Sequence, residues 1–179
     1  MRERGITLAE VLVGAALVAI LAAISVPAFL LAMQNFRFRG AVDQVVGDIR
    51  RARALAVTQG KTWPYDAGFH VSASPRQYRI ELRCPTCSPL CTSWPADTDT
   101  PSSPCANVIT LWQNISTLYL GVTVSQPVDA AGTTLSRIIF NSLVNSVATV
   151  QHPISITISK ALGASQVVQV AAIGSVEKP

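Results

Sequence analysis

Four cysteines, Cys84, Cys87, Cys91 and Cys105, lie in one short segment of a 179-residue chain that has no others. Thiols so placed can do three kinds of chemistry. They can oxidise to two disulfides, hold a tetrathiolate zinc ion, or cycle Cys84-Pro85-Thr86-Cys87 as a dithiol redox pair. Zinc sites favour two closely spaced pairs; Cys84 and Cys87 have that spacing, but Cys91 and Cys105 stand far apart. A redox pair needs a helix start after it to lower a thiol pKa, and this segment is instead interrupted by Pro85, Pro89, Pro95, Pro101 and Pro104. A Pro/Ser/Thr-rich stretch does not form regular structure unaided, so two disulfides in an oxidising compartment are the expected use, with no metal and no cofactor. Three pairings exist, and the sequence does not choose among them. His70 and His152 stand alone, without a nucleophile or further ligand nearby in sequence, and no glycine-rich phosphate loop is present. Trp63, Trp94 and Trp112 are too scattered for a stacking platform and are expected to pack a core. Nothing in the chain assembles a catalytic set, and an enzyme is not expected.

The other chemistry-bearing positions stand near the N-terminus. Met1-Arg2-Glu3-Arg4-Gly5 is short and basic, Ile6-Thr7-Leu8-Ala9-Glu10 follows, and from Val11 to Met33 the one polar side chain is Ser25. Such a run is long enough to cross a bilayer, and it accounts for much of the 49% apolar, 13% charged composition. A secretory signal would be cut behind its apolar run, here near Ala22-Ala23 and Ser25, but apolar residues continue through Val26, Phe29, Leu30 and Leu31. Cleavage before the run, between Gly5 and Ile6, preserves it. Glu10 then sits at the lip of an apolar helix, where a carboxylate costs roughly 2.5 kcal/mol or more at the bilayer centre and less near its surface. It either snorkels to the headgroups or finds a cation. Arg2 and Arg4 favour an inside N-terminus, whereas Arg37 and Arg39 follow the other end, so charge alone does not orient the span.

Gly5, Ile6, Glu10 and Pro27 together resemble the type IV prepilin family: a leader glycine, a carboxylate fifth in the mature chain, and a helix proline. The resemblance implies a prepilin peptidase that cuts after Gly5 and N-methylates Ile6. It also implies that Glu10 pairs with the Ile6 ammonium of a neighbouring subunit, and that Pro27 loosens the helix during assembly. The family usually has Phe where this chain has Ile6, a change that leaves the amine chemistry intact.

These positions need a long helix to carry them. After Phe36 an amphipathic pattern begins, with Val42, Val45, Ile49, Ala52 and Ala56 on one face, and Asp48 able to meet Arg51 one turn on. Gly60 and Pro64 mark the stop, predicting one helix from Ile6 to Gln59. Downstream the period changes to two. Tyr78, Ile80 and Leu82 alternate with Arg79, Glu81 and Arg83 as in a half-buried strand, and Ile154, Ile156 and Ile158 alternate likewise. Further strands are expected at Gly68–Ser72, Val108–Trp112, Tyr119–Val124, Arg137–Phe140 and Val167–Ile173, with a turn near Gly163. The expected fold is α+β and pilin-like, one long helix packed on antiparallel sheet. Its segments are a leader 1–5, a transmembrane and filament-core helix 6–33, an amphipathic half 34–60, and a β-rich head 61–179 with a Cys/Pro-rich loop 84–107.

A finer resemblance, to the GspH/FimT minor pilins, rests on Asp48-Ile49-Arg50-Arg51-Ala52-Arg53-Ala54-Leu55-Ala56 with Gly60-Lys61-Thr62. Phe140, the strand from Ile154 and the closing Ile173-Gly174-Ser175-Val176 also fall where that family has its last strands, although a glycine frequent after Phe140 is replaced around Val144-Asn145. It implies a minor pilin or pseudopilin that starts or caps a type IV pilus or a type II secretion pseudopilus. Such a chain sits in the bacterial inner membrane with its head outside the cytoplasm, and its partners are other pilins, the prepilin peptidase and the membrane. The alternatives are a DNA-binding minor pilin for natural transformation, a major pilin, or a tethered envelope enzyme. Against DNA, Ser175 stands where a Gly-Arg motif would contact phosphate, and the mature chain would carry only +3, so nucleic acid is not an expected partner.

Overall fold

The computed structural model of the chain describes residues 8–59, 65–73, 77–84, 93–96, 98, 108–141, 146–147, 152–161 and 163–178. The chain divides at Arg39/Gly40 into two units. The first contains the leading part of helix α1 (Leu8–Gln59), which continues through Pro27 without ending. Every residue from 8 to 32 is exposed, so the apolar side chains have no protein cover on any side. A helix that is apolar all round belongs in an apolar surrounding. This one is long and apolar enough to cross a membrane.

In the second unit, Gly40–Gln59 of α1 turns one stripe inward. Ala41, Val42, Val45, Val46, Ile49, Ala52 and Ala56 are buried. The amphipathic spacing read from the sequence is therefore the packing face. Asp48 takes a partner from the sheet rather than from Arg51: its carboxylate accepts the Tyr78 hydroxyl at 2.8 Å.

The remaining elements are β1 (Asp66–Val71), β2 (Tyr78–Arg83), α2 (Ile115–Leu118), β3 (Val122–Val124), β4 (Arg137–Asn141), β5 (Ser146–Val147), β6 (Ile154–Lys160), β7 (Ser165–Val170) and β8 (Val176–Glu177). They form two antiparallel four-stranded sheets, ordered β2-β1-β4-β5 and β3-β6-β7-β8, so the head is built on two sheets where the sequence suggested one. Phe69, Ile80, Ile138 and Phe140 line the core from the first sheet, and Ile154, Ile156, Ile158, Val168 and Val170 from the second. Each such side chain contributes about 1.5–3 kcal/mol by leaving water. The β6–β7 hairpin pairs Ile156 with Val168 and Ile154 with Val170 around Gly163, as the alternation predicts.

Four strand expectations change. Strand β2 is buried on both faces, not half-buried. Val108–Trp112 makes bridges to β2 without becoming a strand, because the Ile80 N–H is taken by the Thr110 hydroxyl while Ile109 and Thr110 both donate to the Ile80 carbonyl. The Tyr119–Val124 expectation shortens to β3, since Asn114 caps the short α2 and Tyr119 still closes it onto Ile115. Strand β7 stops at Val170, before a turn that ends at Gly174 with φ +75° and leaves Ile173 68% exposed.

Candidate functional site

Strand alternation puts Asp66, Gly68 and His70 of β1 on the same face as Arg79, Glu81 and Arg83 of β2, with Gly68 opposite Glu81 and His70 opposite Arg79. Arg137 joins them from β4, opposite His70. Glu81 is the hub. Its Oε1 lies 2.8 Å from His70 Nδ1 and accepts from Arg79 Nε at 2.5 Å, and its Oε2 accepts from Arg137 Nε at 2.8 Å. Both Arg79 and Glu81 are 0% exposed. Burial pushes the Glu81 carboxyl up, but the hydrogen bonds and charges of His70 and Arg137 outweigh it and hold the group below the usual carboxylate value.

This face is covered by pieces of the Cys/Pro-rich segment and its sequel. Arg79 stacks on Trp112 at 4.3 Å and donates to the Ala96 carbonyl at 2.7 Å. Arg83 and Arg137 lie under Trp94 at 4.9 and 5.7 Å, and Arg137 donates to the Pro95 carbonyl at 3.4 Å. Arg83 also pairs with Asp66 at 2.8 Å. Gly68 makes the approach possible, since a Cβ there would lie 2.8 Å from Trp94 Cζ3. Both Glu81 oxygens accept hydrogen bonds and the group is shut from solvent, so it does not face a space that a substrate could enter. The chemistry available to it is that of a lock between sheet and loop.

Cys84 follows β2, is fully buried and is disulfide-bonded, which removes it as a zinc ligand. Cys87, Cys91 and Cys105 lie outside the described residues, and with them the pairing. No group of His, Cys, Asp and Glu able to hold a metal occurs among the described residues. Gly5 and Ile6 of the expected cleavage site, the leader, and Gly60 to Pro64 with Trp63 also lie outside the described residues. Glu10 is exposed in the first turn of α1 and Pro27 is inside that helix, both in the first unit. His70, which stands alone in the sequence, and two tryptophans expected to pack a core prove to be members of the buried ionic cluster. The sequence carried a partial signal, charged residues at alternate strand positions and tryptophans in the segment that follows, but nothing in it joins the two.

No protein-family model matches the chain, and neither a curated protein nor a solved structure shows significant similarity to it.

Proposed function

We propose that the chain is a membrane-anchored subunit of a pilin-like filament, a minor pilin or pseudopilin that starts or caps a type IV pilus or type II secretion pseudopilus. The observation that carries the reading is the apolar half of α1, exposed on every side from residue 8 to residue 32. An apolar cylinder of this length is satisfied by lipid while the subunit waits, and by the same surface of other copies once helices bundle. Glu10 belongs to that second environment: within a bundle its carboxylate meets the Ile6 ammonium of a neighbour. The disulfide at Cys84 fits a head outside the reducing cytoplasm, hence an inner-membrane subunit with its N-terminus inside.

The test is the mass of the N-terminal peptide from native membranes, with and without the prepilin peptidase. Loss of Met1–Gly5 with one methyl on Ile6 is expected. An uncut chain, or one cut near Ala23, would leave a plain anchor or a secretory signal and remove the filament argument. A filament that incorporates the Glu10→Ala chain as well as the parent would remove the pairing role of Glu10.

A further inference from the structure

Strand β8 runs along the head half of α1, and three contacts mark its course. Lys178 pairs with Asp43, Arg50 Nη2 donates to the Val176 carbonyl at 3.4 Å, and Gly174 sits against the Arg53 side chain, where a Cβ would lie 3.0 Å from Cδ. Beyond the Lys178–Asp43 pair the helix and strand separate into a groove of about 640 Å³, lined chiefly by Arg50, Arg53, Ala54, Val57, Ser175 and Val176.

The charge of this groove is one-sided. Among the described residues, strand β8 is the edge of its sheet, paired only with β7. Ala171 N–H bonds the Ser175 carbonyl, and pairs alternate along an antiparallel ladder, so Val170 and Val176 form the pair whose backbone groups point away from each other. Val176 thus turns its carbonyl and its N–H toward α1; Arg50 takes the carbonyl, leaving the N–H to the groove. The Arg53 guanidinium has no acceptor among the described residues, and no Asp or Glu lines the groove. The two guanidiniums and the outward strand N–H only donate, the Thr58 and Ser175 hydroxyls can donate or accept, and the charge of the groove is positive, so its best occupant supplies acceptors with negative charge. The floor of Ala54 and Val57 is apolar, and 57 is 38% exposed. A phosphate backbone gains nothing from that floor, whereas a peptide with apolar side chains beside a carboxylate uses both parts.

We infer that the groove between α1 and β8 binds an extended peptide segment of a partner protein, whose carboxylate meets Arg50 and Arg53 while its backbone accepts the Val176 N–H and its apolar side chains rest on Ala54 and Val57. This is addition of a strand to a sheet edge, with the arginines setting charge preference. The inference stands whether or not the chain enters a filament.

The test uses the full chain in detergent micelles and a fluorescein-labelled VEVEV peptide, followed by anisotropy, with VQVQV as the uncharged probe. The Glu peptide is expected to bind about tenfold or more tightly than the Gln peptide, and Arg50→Ala or Arg53→Ala to erase about tenfold of its affinity. Val57→Asp, an exposed change that leaves the fold intact, should abolish binding by placing a like charge in the groove. Arg53→Lys should restore part of the loss from Arg53→Ala. Equal affinity for the two peptides, or indifference to all of these substitutions, overturns the inference. So does displacement of VEVEV by a lower concentration of a 20-mer oligonucleotide, which would assign the groove to phosphate.

Discussion

Glu81 shows how one carboxylate can decide the chemistry of a whole face. With Arg79 and Arg137 both donating to it, removing its charge leaves a buried guanidinium and a part-buried one without their carboxylate. Glu81→Gln is expected to cost about 3–5 kcal/mol, read as a lower urea midpoint for the full chain in detergent. The pH dependence has a definite sign. A carboxyl whose folded pKa is depressed binds its proton more readily when unfolded, so its stabilising contribution is present above the unfolded value of about 4.3 and is lost as pH falls through the folded value. Urea midpoints of the parent should fall through that acid window, and those of Glu81→Gln should fall less. Tyr78 behaves in the opposite sense. Burial first, then the Asp48 hydrogen bond and charge, raise its phenol far above the ordinary value. The stability this confers is complete below about pH 10 and declines as pH rises beyond it. Tyr78→Phe should flatten that alkaline decline in the same measurement.

Among the elements, β1, like β2, must satisfy two surfaces at once. Its Ala67, Phe69 and Val71 join the apolar core, while Asp66, Gly68 and His70 face the loop. Gly68 therefore carries a packing demand rather than a turn. Gly68→Ala would press a methyl against the Trp94 ring and is expected to destabilise the head by about 1–3 kcal/mol. The change should also speed proteolysis between Arg83 and Val108, while the β6–β7 hairpin keeps its amide protection. If cleavage in that segment is unaltered, Trp94 does not hold it down. Helix α1 makes a comparable division of labour along its length. Its composition before Met33 suits lipid, and its small buried residues Ala41, Ala52 and Ala56 suit close approach to sheet.

At the scale of the whole molecule, most of the exposed large apolar side chains among the described residues lie in the leading half of α1. Apolar side chains such as Leu12, Leu17, Leu21, Ile24 and Phe29 are each more than half exposed. A single Leu21→Asp change should cost about 2.5–3.5 kcal/mol of membrane insertion, and carbonate-washed membranes should retain clearly less of the variant than of the parent. Equal retention would mean that the helix does not span. The head should be unaffected, since Leu21 belongs to the first unit, and its urea midpoint provides the control.

The sequence by itself determined what depends on local pattern. Period and composition separated an apolar helix from an amphipathic one at Phe36, placed the strands beginning near Tyr78, Arg137 and Ile154, and marked the Gly163 turn, because these features follow from which side chains must leave water. Tertiary structure decided what depends on residues far apart in the chain. Arg79, Glu81 and Arg83 read as a solvated face, since charges at alternate strand positions normally meet water. They are buried because Arg137, Trp94 and Trp112 arrive from 11 or more residues away to neutralise and cover them, and no local pattern encodes that meeting. The short β5 was likewise invisible, and β8 was suggested by resemblance alone, for two residues cannot display a period. The groove arises for the same reason: Arg50 and Arg53 are ordinary helix arginines until an edge strand from the end of the chain lies beside them.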